Sequence, residues 1–270
     1  MTSKHRLARF FNLSALAVAA FTGVLMISTP KDAIAAGSTT SGVRNVVLVH
    51  GAWADGSSWA KVIPLLEASG LHVVAVQNPL TSFADDTAAT KRAIALQDGP
   101  VILVGHSYGG AVITEAGVDP KVAGLVYVAA FGPDAGEEVA ELGKSAPVPP
   151  GLAELRPDAG GFFLLTSKGM LEDFAQDLPL AERKLMFATQ GPTNGAALGG
   201  KVSVPAWKTK PSWYVVASND RMIQPDTERQ FAKRMNARTI TLASSHVPML
   251  SHPAEVAKLI VEAAQTAGAK

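Results

Sequence analysis

The chain contains no cysteine among its 270 residues. That excludes disulfides, thiolate metal sites, a cysteine nucleophile and a lipidated N-terminal cysteine. Charge is sparse too: 17% of residues are charged and the formal net charge is +1, which makes no electrostatic case for nucleic acid. The 47% share of hydrophobic residues excludes a disordered chain. There is no internal repeat and no low-complexity tract. A Gly-x-Gly-x-x-Gly dinucleotide fingerprint is missing, as is a Gly-Lys-Ser/Thr phosphate loop. No set of histidines and carboxylates has metal-ligand spacing, so no metal is expected. What remains is a body long enough to bury its own core without staples.

The first 35 residues read as a leader. Lys4, Arg6 and Arg9 make a basic start, residues 10–28 carry no charge, and Ala33-Ile34-Ala35 places small residues at the two positions a signal peptidase reads. The pattern predicts a secretory signal peptide over residues 1–35, cleaved before Ala36, followed by one domain over residues 36–270. The competing reading is an uncleaved anchor, because the apolar run is almost long enough to span a bilayer. The well-placed Ala-x-Ala and the small residues diluting the run favour cleavage. No Arg-Arg pair supports a twin-arginine route. The leader takes four basic residues and one acid out of totals of 24 and 23, leaving the remainder near −2. The expectation is an exported protein, periplasmic or secreted, with no stable membrane association once the leader is gone.

Beyond the leader, short apolar runs alternate with helical patterns. Strands are predicted at 45–50, 72–77, 101–104, 123–129, 213–217 and 239–242. Helical patterns lie around 59–66, 81–97, 227–235 and 253–266. This alternation predicts an α/β fold, a mostly parallel sheet with helices on both faces. The stretch 132–205 breaks the pattern and is too long for a structureless loop in a compact domain. It reads as an inserted cap, with helix-like pieces at 170–176 and 180–189 and the run Phe162-Phe163-Leu164-Leu165. Phe162, Phe163, Leu164, Met170, Phe174 and Met186 are candidates to line an apolar pocket, or else to form the cap's own core.

Three strand ends carry the chemistry. Gly105-His106-Ser107-Tyr108-Gly109-Gly110 follows VILV and precedes AVITEAG, so a strand enters and a helix leaves. That context makes Gly-x-Ser-x-Gly specific: the turn lifts a serine above the sheet at a helix N-terminus, and only glycine fits two positions either side. A serine hydroxyl needs a base. His246, in the loop after the last strand, can reach across the sheet top. His50 and His106 fall in support positions, His72 starts a strand, and His252 reads as a helix-start surface residue. The base needs an orienting carboxylate. Asp220, in a loop beyond the carboxyl end of the strand WYVVA where sites in open α/β sheets form, completes the chain order Ser–Asp–His; its competitor Asp134, after the strand ending near Ala130, reads as capping or shaping the cap entrance. The oxyanion of acyl transfer needs two backbone N–H donors, expected from Ala52 in His50-Gly51-Ala52-Trp53 and from Tyr108. Trp53 reads as a packing residue beside the pocket.

With VLVHGAW, VILVGHSYGGAV, VYVAAFGPD, PSWYVVASNDRMIQP and SSHVPMLSHP in view, the chain resembles an α/β-hydrolase over nearly its whole length. More narrowly it resembles the branch of the plant methyl-salicylate and other methyl esterases and the hydroxynitrile lyases. The resemblance implies a Ser107–His246–Asp220 triad, an oxyanion hole at Ala52 and Tyr108, and no cofactor. The leader departs from the cytosolic plant enzymes and suggests a bacterial exported relative; the cap matches least. Three functions follow as expectations. The first is a serine hydrolase that cleaves a small-molecule carboxylic ester with an apolar group. The second is another reaction on the same triad, by a thioesterase, lactonase, perhydrolase or hydroxynitrile lyase. The third is a catalytically silent ligand-binding protein. The family's lyases carry Lys directly after the catalytic His and Thr directly after the first His of the oxyanion loop. This sequence has Val247 and Gly51 there.

Overall fold

The computed structural model describes residues 42–144 and 146–267. The leader expected over residues 1–35 lies outside the described residues. Nine strands are described in chain order: β1 (Asn45–Val49), β2 (His72–Val76), β3 (Val101–Ser107), β4 (Val122–Ala130), β5 (Leu155–Pro157), β6 (Phe162–Leu165), β7 (Thr193–Asn194), β8 (Ser212–Ala217) and β9 (Arg238–Leu242). Six of them form the main sheet in the order β2-β1-β3-β4-β8-β9, with every neighbouring pair parallel. The helices are α1 (Ile63–Ala68), α2 (Phe83–Ala95), α3 (Gly109–Ala116), α4 (Leu180–Thr189), α5 (Gly195–Leu198), α6 (Pro225–Arg234), α7 (Pro248–Ser251) and α8 (Pro253–Thr266).

The burial of the strands explains their sequence. β1, β3 and β8 are buried at every residue. Helices cover both faces of the sheet, so these strands are continuous apolar runs rather than alternating ones. The outer strands β2 and β9 are mostly half-buried or exposed and carry His72, Arg238 and two threonines. Helix α2 starts where the Ser82 hydroxyl accepts from the Asp85 N–H at 3.1 Å, an N-cap that satisfies an otherwise free donor.

Two predicted elements differ. The helical pattern at 59–66 is a 3-10 turn over Gly56–Trp59, followed by α1 from Ile63. Pro64 decides this, since proline is at home only in a helix's first turn. The expected helix at 170–176 is a π-helical turn over Gly169–Phe174. Between β4 and β8 the chain also builds a small antiparallel sheet, β5-β6-β7, in which Phe162-Phe163-Leu164-Leu165 is the central strand.

From β1 the chain goes to β2 on one side, then crosses to β3 on the other. The loops leaving β1 and β3 therefore diverge, opening a crevice at the carboxyl ends of the strands.

Candidate active site

Ser107 is the last residue of β3 and has φ +53°, a left-handed backbone that a non-glycine residue adopts at a cost. Its neighbours make the turn sterically possible. A Cβ on Gly105 would lie 2.6 Å from the Gly109 carbonyl oxygen, and one on Gly109 would lie 2.6 Å from that of Val49. Helix α3 begins at Gly109, so the serine stands at a helix N-terminus, where developing negative charge is favoured.

The residues expected together are together. His246 Nε2 lies 2.8 Å from Ser107 Oγ, and its Nδ1 lies 2.5 Å from Asp220 Oδ2. The arrangement assigns Nδ1–H as donor to the carboxylate and leaves Nε2 to accept from the serine hydroxyl. Asp220 is fixed by the backbone N–H groups of Met222 and Ile223, which donate to Oδ1 at 2.6 and 2.9 Å. All three side chains are buried. The order of β8 and β9 brings this about. The Asp220 loop follows β8, the His246 loop follows β9, and the Asn219 N–H donates to the Ser244 carbonyl across them.

Asp134 is elsewhere: it pairs with Lys208 at 2.5 Å, and that contact holds its carboxyl below the usual range. His252 is the residue before α8 and meets Ser251, and His72 is exposed beside Gln97.

The loop after β1 is locked by its histidine. The Asn78 N–H donates to His50 Nε2 at 2.9 Å, so His50 carries its proton on Nδ1 and donates it to the Gly51 carbonyl at 2.8 Å. Burial lowers the His50 pKa, which keeps the ring neutral. A trans peptide places its C=O and N–H on opposite sides. Pinning the Gly51 carbonyl therefore also orients the Ala52 N–H. Neither the Ala52 nor the Tyr108 N–H has a hydrogen-bond partner among the described residues, and both residues line one cavity with Ser107 and His246. Tyr108 is anchored through its side chain, which donates to Asp86 at 2.7 Å. Burial raises the pKa of both partners.

His246 is supported by His106, expected in a support position, by Phe174, expected at the pocket or in the cap core, and by Asp177, which the sequence reading left out. His106 Nε2–H donates to the His246 carbonyl at 2.8 Å, and full burial holds its pKa well below normal. The Phe174 ring meets the His246 ring edge-on at 5.0 Å, and Asp177 accepts from the Ser245 N–H at 2.8 Å. Both lie in the insertion.

The cavity above Ser107 has a volume of about 380 Å³. Its insertion-derived lining is mostly apolar and includes Val139, Leu142, Val148, Leu152, Leu155 and Leu198, with Lys144, paired with Glu141 at 2.5 Å, the charged residue among it. None of the six apolar residues proposed from sequence lines it. Met170 and Phe174 are fully buried, Phe162, Phe163 and Leu164 belong to β6, and Met186 lines a separate cavity. Trp53 does line the cavity; its indole N–H donates to the Phe163 carbonyl at 3.0 Å, tying the β1 loop to the small sheet. Among the described residues no cluster of His and carboxylates is arranged to hold a metal, and no helix is long and apolar enough to cross a membrane.

The chain is similar to known proteins along most of its length. Residues 46–259 match the Alpha/beta hydrolase family. Methylesterase 2 of Arabidopsis thaliana is 27% identical over 241 residues, 78% of this chain and 92% of the relative. An alpha-hydroxynitrile lyase of the same plant is 28% identical over 239 residues, 78% of this chain and 93% of the relative. The crystal structure of a pyrethroid hydrolase from Sphingobium faniae superposes with a TM-score of 0.71 at 25% identity, covering 83% of this chain and 98% of that one.

Proposed function

Since the chain belongs to the alpha/beta hydrolase family, we propose that it is a serine esterase that cleaves small-molecule carboxylic esters through an acyl-enzyme. The observation that carries this reading is the unbroken relay from Ser107 through His246 to Asp220 at the floor of an apolar cavity.

In the proposed reaction Ser107 Oγ attacks the ester carbonyl while His246 Nε2 takes its proton. Asp220 holds the imidazole in the tautomer that can accept it and stabilises the cation that forms. The carbonyl oxygen becomes an oxyanion held by the Ala52 and Tyr108 N–H groups, each donor worth about 3–4 kcal/mol in such sites. As the intermediate collapses, the bond to the alcohol oxygen breaks and His246 returns the proton to it. Water then repeats the sequence on the acyl-enzyme, releasing the acid and regenerating Ser107.

The cavity wall supports a substrate with an apolar group. Val148 and Leu152, at 76% and 41% exposure, carry the apolar surface out to the rim. The relatives named a methylesterase and a pyrethroid hydrolase also support ester cleavage. Lyase chemistry would need a cation at the leaving anion. Val247, fully buried, offers none, and an unpaired anion in a dry pocket costs several kcal/mol.

The test is fluorophosphonate labelling together with a panel of esters of varied acyl and alcohol groups. Labelling and hydrolysis that both vanish in Ser107→Ala are expected. No labelling would return the silent-binder reading. Cyanide release from mandelonitrile that disappears in Ser107→Ala, with no ester hydrolysed, would establish the lyase instead. We further propose export with a mature N-terminus at Ala36. Mass analysis of protein from periplasm or medium would read that terminus, and an intact Met1 on membrane-bound protein would overturn it.

A further inference from the structure

Behind Asp220 lies a second carboxyl group that the proposed reaction does not use. Glu228 sits in the first turn of α6 and is completely buried. Its Oε2 accepts from the Ala217 N–H at 2.9 Å, at the end of β8. Its Oε1 has no N–H or O–H donor facing it among the described residues. Asp220 is the neighbouring acid: its N–H donates to the Ala217 carbonyl at 3.3 Å while Glu228 accepts from the Ala217 N–H, so one residue of β8 ties both together and sets their carboxyls side by side. Asp220 already accepts from two backbone N–H groups and from His246, and its own side chain is cut off from water.

The other charged or titratable groups around Glu228 do not neutralise it. Tyr214, on β8, is fully buried and gives its hydroxyl proton to the Ala130 carbonyl. Arg229, on α6 itself, pairs with Asp226 at 2.6 Å on the surface. His246 is committed to Asp220 and Ser107. Two carboxyl groups this close, with no buried cation between them, cannot both be ionised; one must carry a proton and give it to the other. Asp220, facing three donors, is the better anion. Burial and the neighbouring Asp220 charge accordingly push the Glu228 pKa well up.

We propose that Glu228 is a positioning residue: a neutral carboxylic acid whose Oε1–H donates to Asp220 and holds it against His246. The inference rests on reading Asp220 as the group that orients His246. Glu228 thus tunes how strongly Asp220 attracts the imidazole proton, and it does so without touching substrate. In sequence the signal is a glutamate eight residues after Asp220, at the third residue after Pro225, and nothing in that spacing distinguishes it from an ordinary helix-start acid.

Two substitutions separate the possibilities. Glu228→Gln keeps both bonds, because the amide oxygen can accept from Ala217 while the NH₂ donates to Asp220. Glu228→Met keeps the volume and loses the donor. The first readout is the pH at which the labelled His246 ring takes up its proton, followed by NMR; the second is the pH profile and the kcat–KM split of ester hydrolysis. Glu228→Gln should hold the midpoint within about 0.3 pH and keep kcat within about threefold, a small fraction of one pKa step. Glu228→Met should raise the midpoint by roughly 0.5–1 pH, since an Asp220 without its donor attracts the proton more strongly. It should lower kcat about 10–100-fold at unchanged KM, the usual effect of removing an outer-shell partner.

A wild-type minus Glu228→Gln infrared difference spectrum at neutral pH supplies a third readout that needs neither activity nor the Met variant. It should show the carbonyl stretch of a protonated carboxyl. Absence of that band, or a midpoint that falls by about 1 pH in Glu228→Gln as loss of a nearby negative charge would cause, overturns the proposal. So does a Glu228→Met protein that matches wild type in midpoint and kcat. If the wild type hydrolyses no ester, the esterase reading fails by itself, and the NMR and infrared results still decide the state of Glu228.

Discussion

Replacing Gly51 by alanine should damage the proposed oxyanion hole while leaving the triad in place. A Cβ at position 51 would lie 2.6 Å from the Ser107 Cβ, 3.1 Å from the His106 carbonyl oxygen and 3.2 Å from His106 Nδ1. Carbon atoms in contact sit at about 3.5–4.0 Å, so the shortfall is about 1 Å. Ser107 cannot supply it, because its strained turn is held by Gly105 and Gly109 against backbone. The loop after β1 must retreat instead, against the His50–Gly51 and Asn78–His50 bonds and the Trp53 N–H bond to Thr193. The Ala52 N–H then misses the oxyanion by about 1 Å, a displacement that costs about 10²-fold, rising to about 10³-fold if the donor is lost outright. Steady-state kinetics on a p-nitrophenyl ester should show that loss in kcat with KM little changed, and fluorophosphonate labelling should slow in parallel. The same contact shows why the lyases' threonine is not accommodated here without moving the loop. A Gly51→Ala enzyme with wild-type kcat would refute the reasoning, because it would mean that the loop yields freely or that Ala52 stabilises nothing.

Other expectations follow from the same geometry. Ser107→Ala and His246→Ala should each lower kcat by about 10⁴–10⁶, and Asp220→Asn by about 10³–10⁴; Asp134→Asn, which only releases Lys208, should stay near wild type in the same assay. Leu152→Trp should shorten the preferred acyl chain in an ester series by filling the cavity wall, and an unchanged chain-length profile would remove Leu152 from the binding surface. Thermal stability should depend on pH through two kinds of buried group that act in opposite directions. The pKa values of His50 and His106 are depressed by burial. Their contribution is therefore present above the unfolded value of about 6.5 and is lost as pH falls through and below it. Glu228 is raised, so its contribution is present below about pH 4.5 and is lost as pH rises toward its folded value. Melting curves of Glu228→Gln should accordingly lose the decline that sets in as pH rises above about 4.5 and keep the one that sets in as pH falls below about 6.5.

The sheet was legible because each central strand is buried on both faces and must be apolar along its length. NVVLV, VILV and WYVVA can do little else when helices cover both sides. The catalytic candidates were legible for a related reason. A left-handed serine between clash-limited glycines leaves a local signature, because the steric limits, Gly105 against Gly109 and Gly109 against the end of β1, fall on residues within two positions of the serine. His246 and Asp220 needed only the rule that strand ends meet at one edge of a parallel sheet.

The walls of the site obey no such rule. Leu142, Leu152 and Leu155 line the cavity through 3-10 turns and a three-residue strand, where no period of 2 or 3.6 points a side chain anywhere in particular. The aromatic run at 162–165 looked like a pocket, yet β6 spends it pairing with β5 and β7. Phe174 and Asp177 reach His246 only because the π-helical turn over Gly169–Phe174 and the bend after it bring the insertion down onto the His246 loop. In each case the contact depends on a separation of dozens of residues and on irregular backbone. A substitution in this insertion can therefore change substrate choice through the wall, or turnover through the support of His246. Phe174→Ala separates the two: it removes a ring that touches His246 and does not line the cavity. Its loss should appear in kcat across every ester of a series equally, whereas Leu152→Trp should reorder the series. If Phe174→Ala reordered it instead, the division of the insertion into wall and support would be wrong.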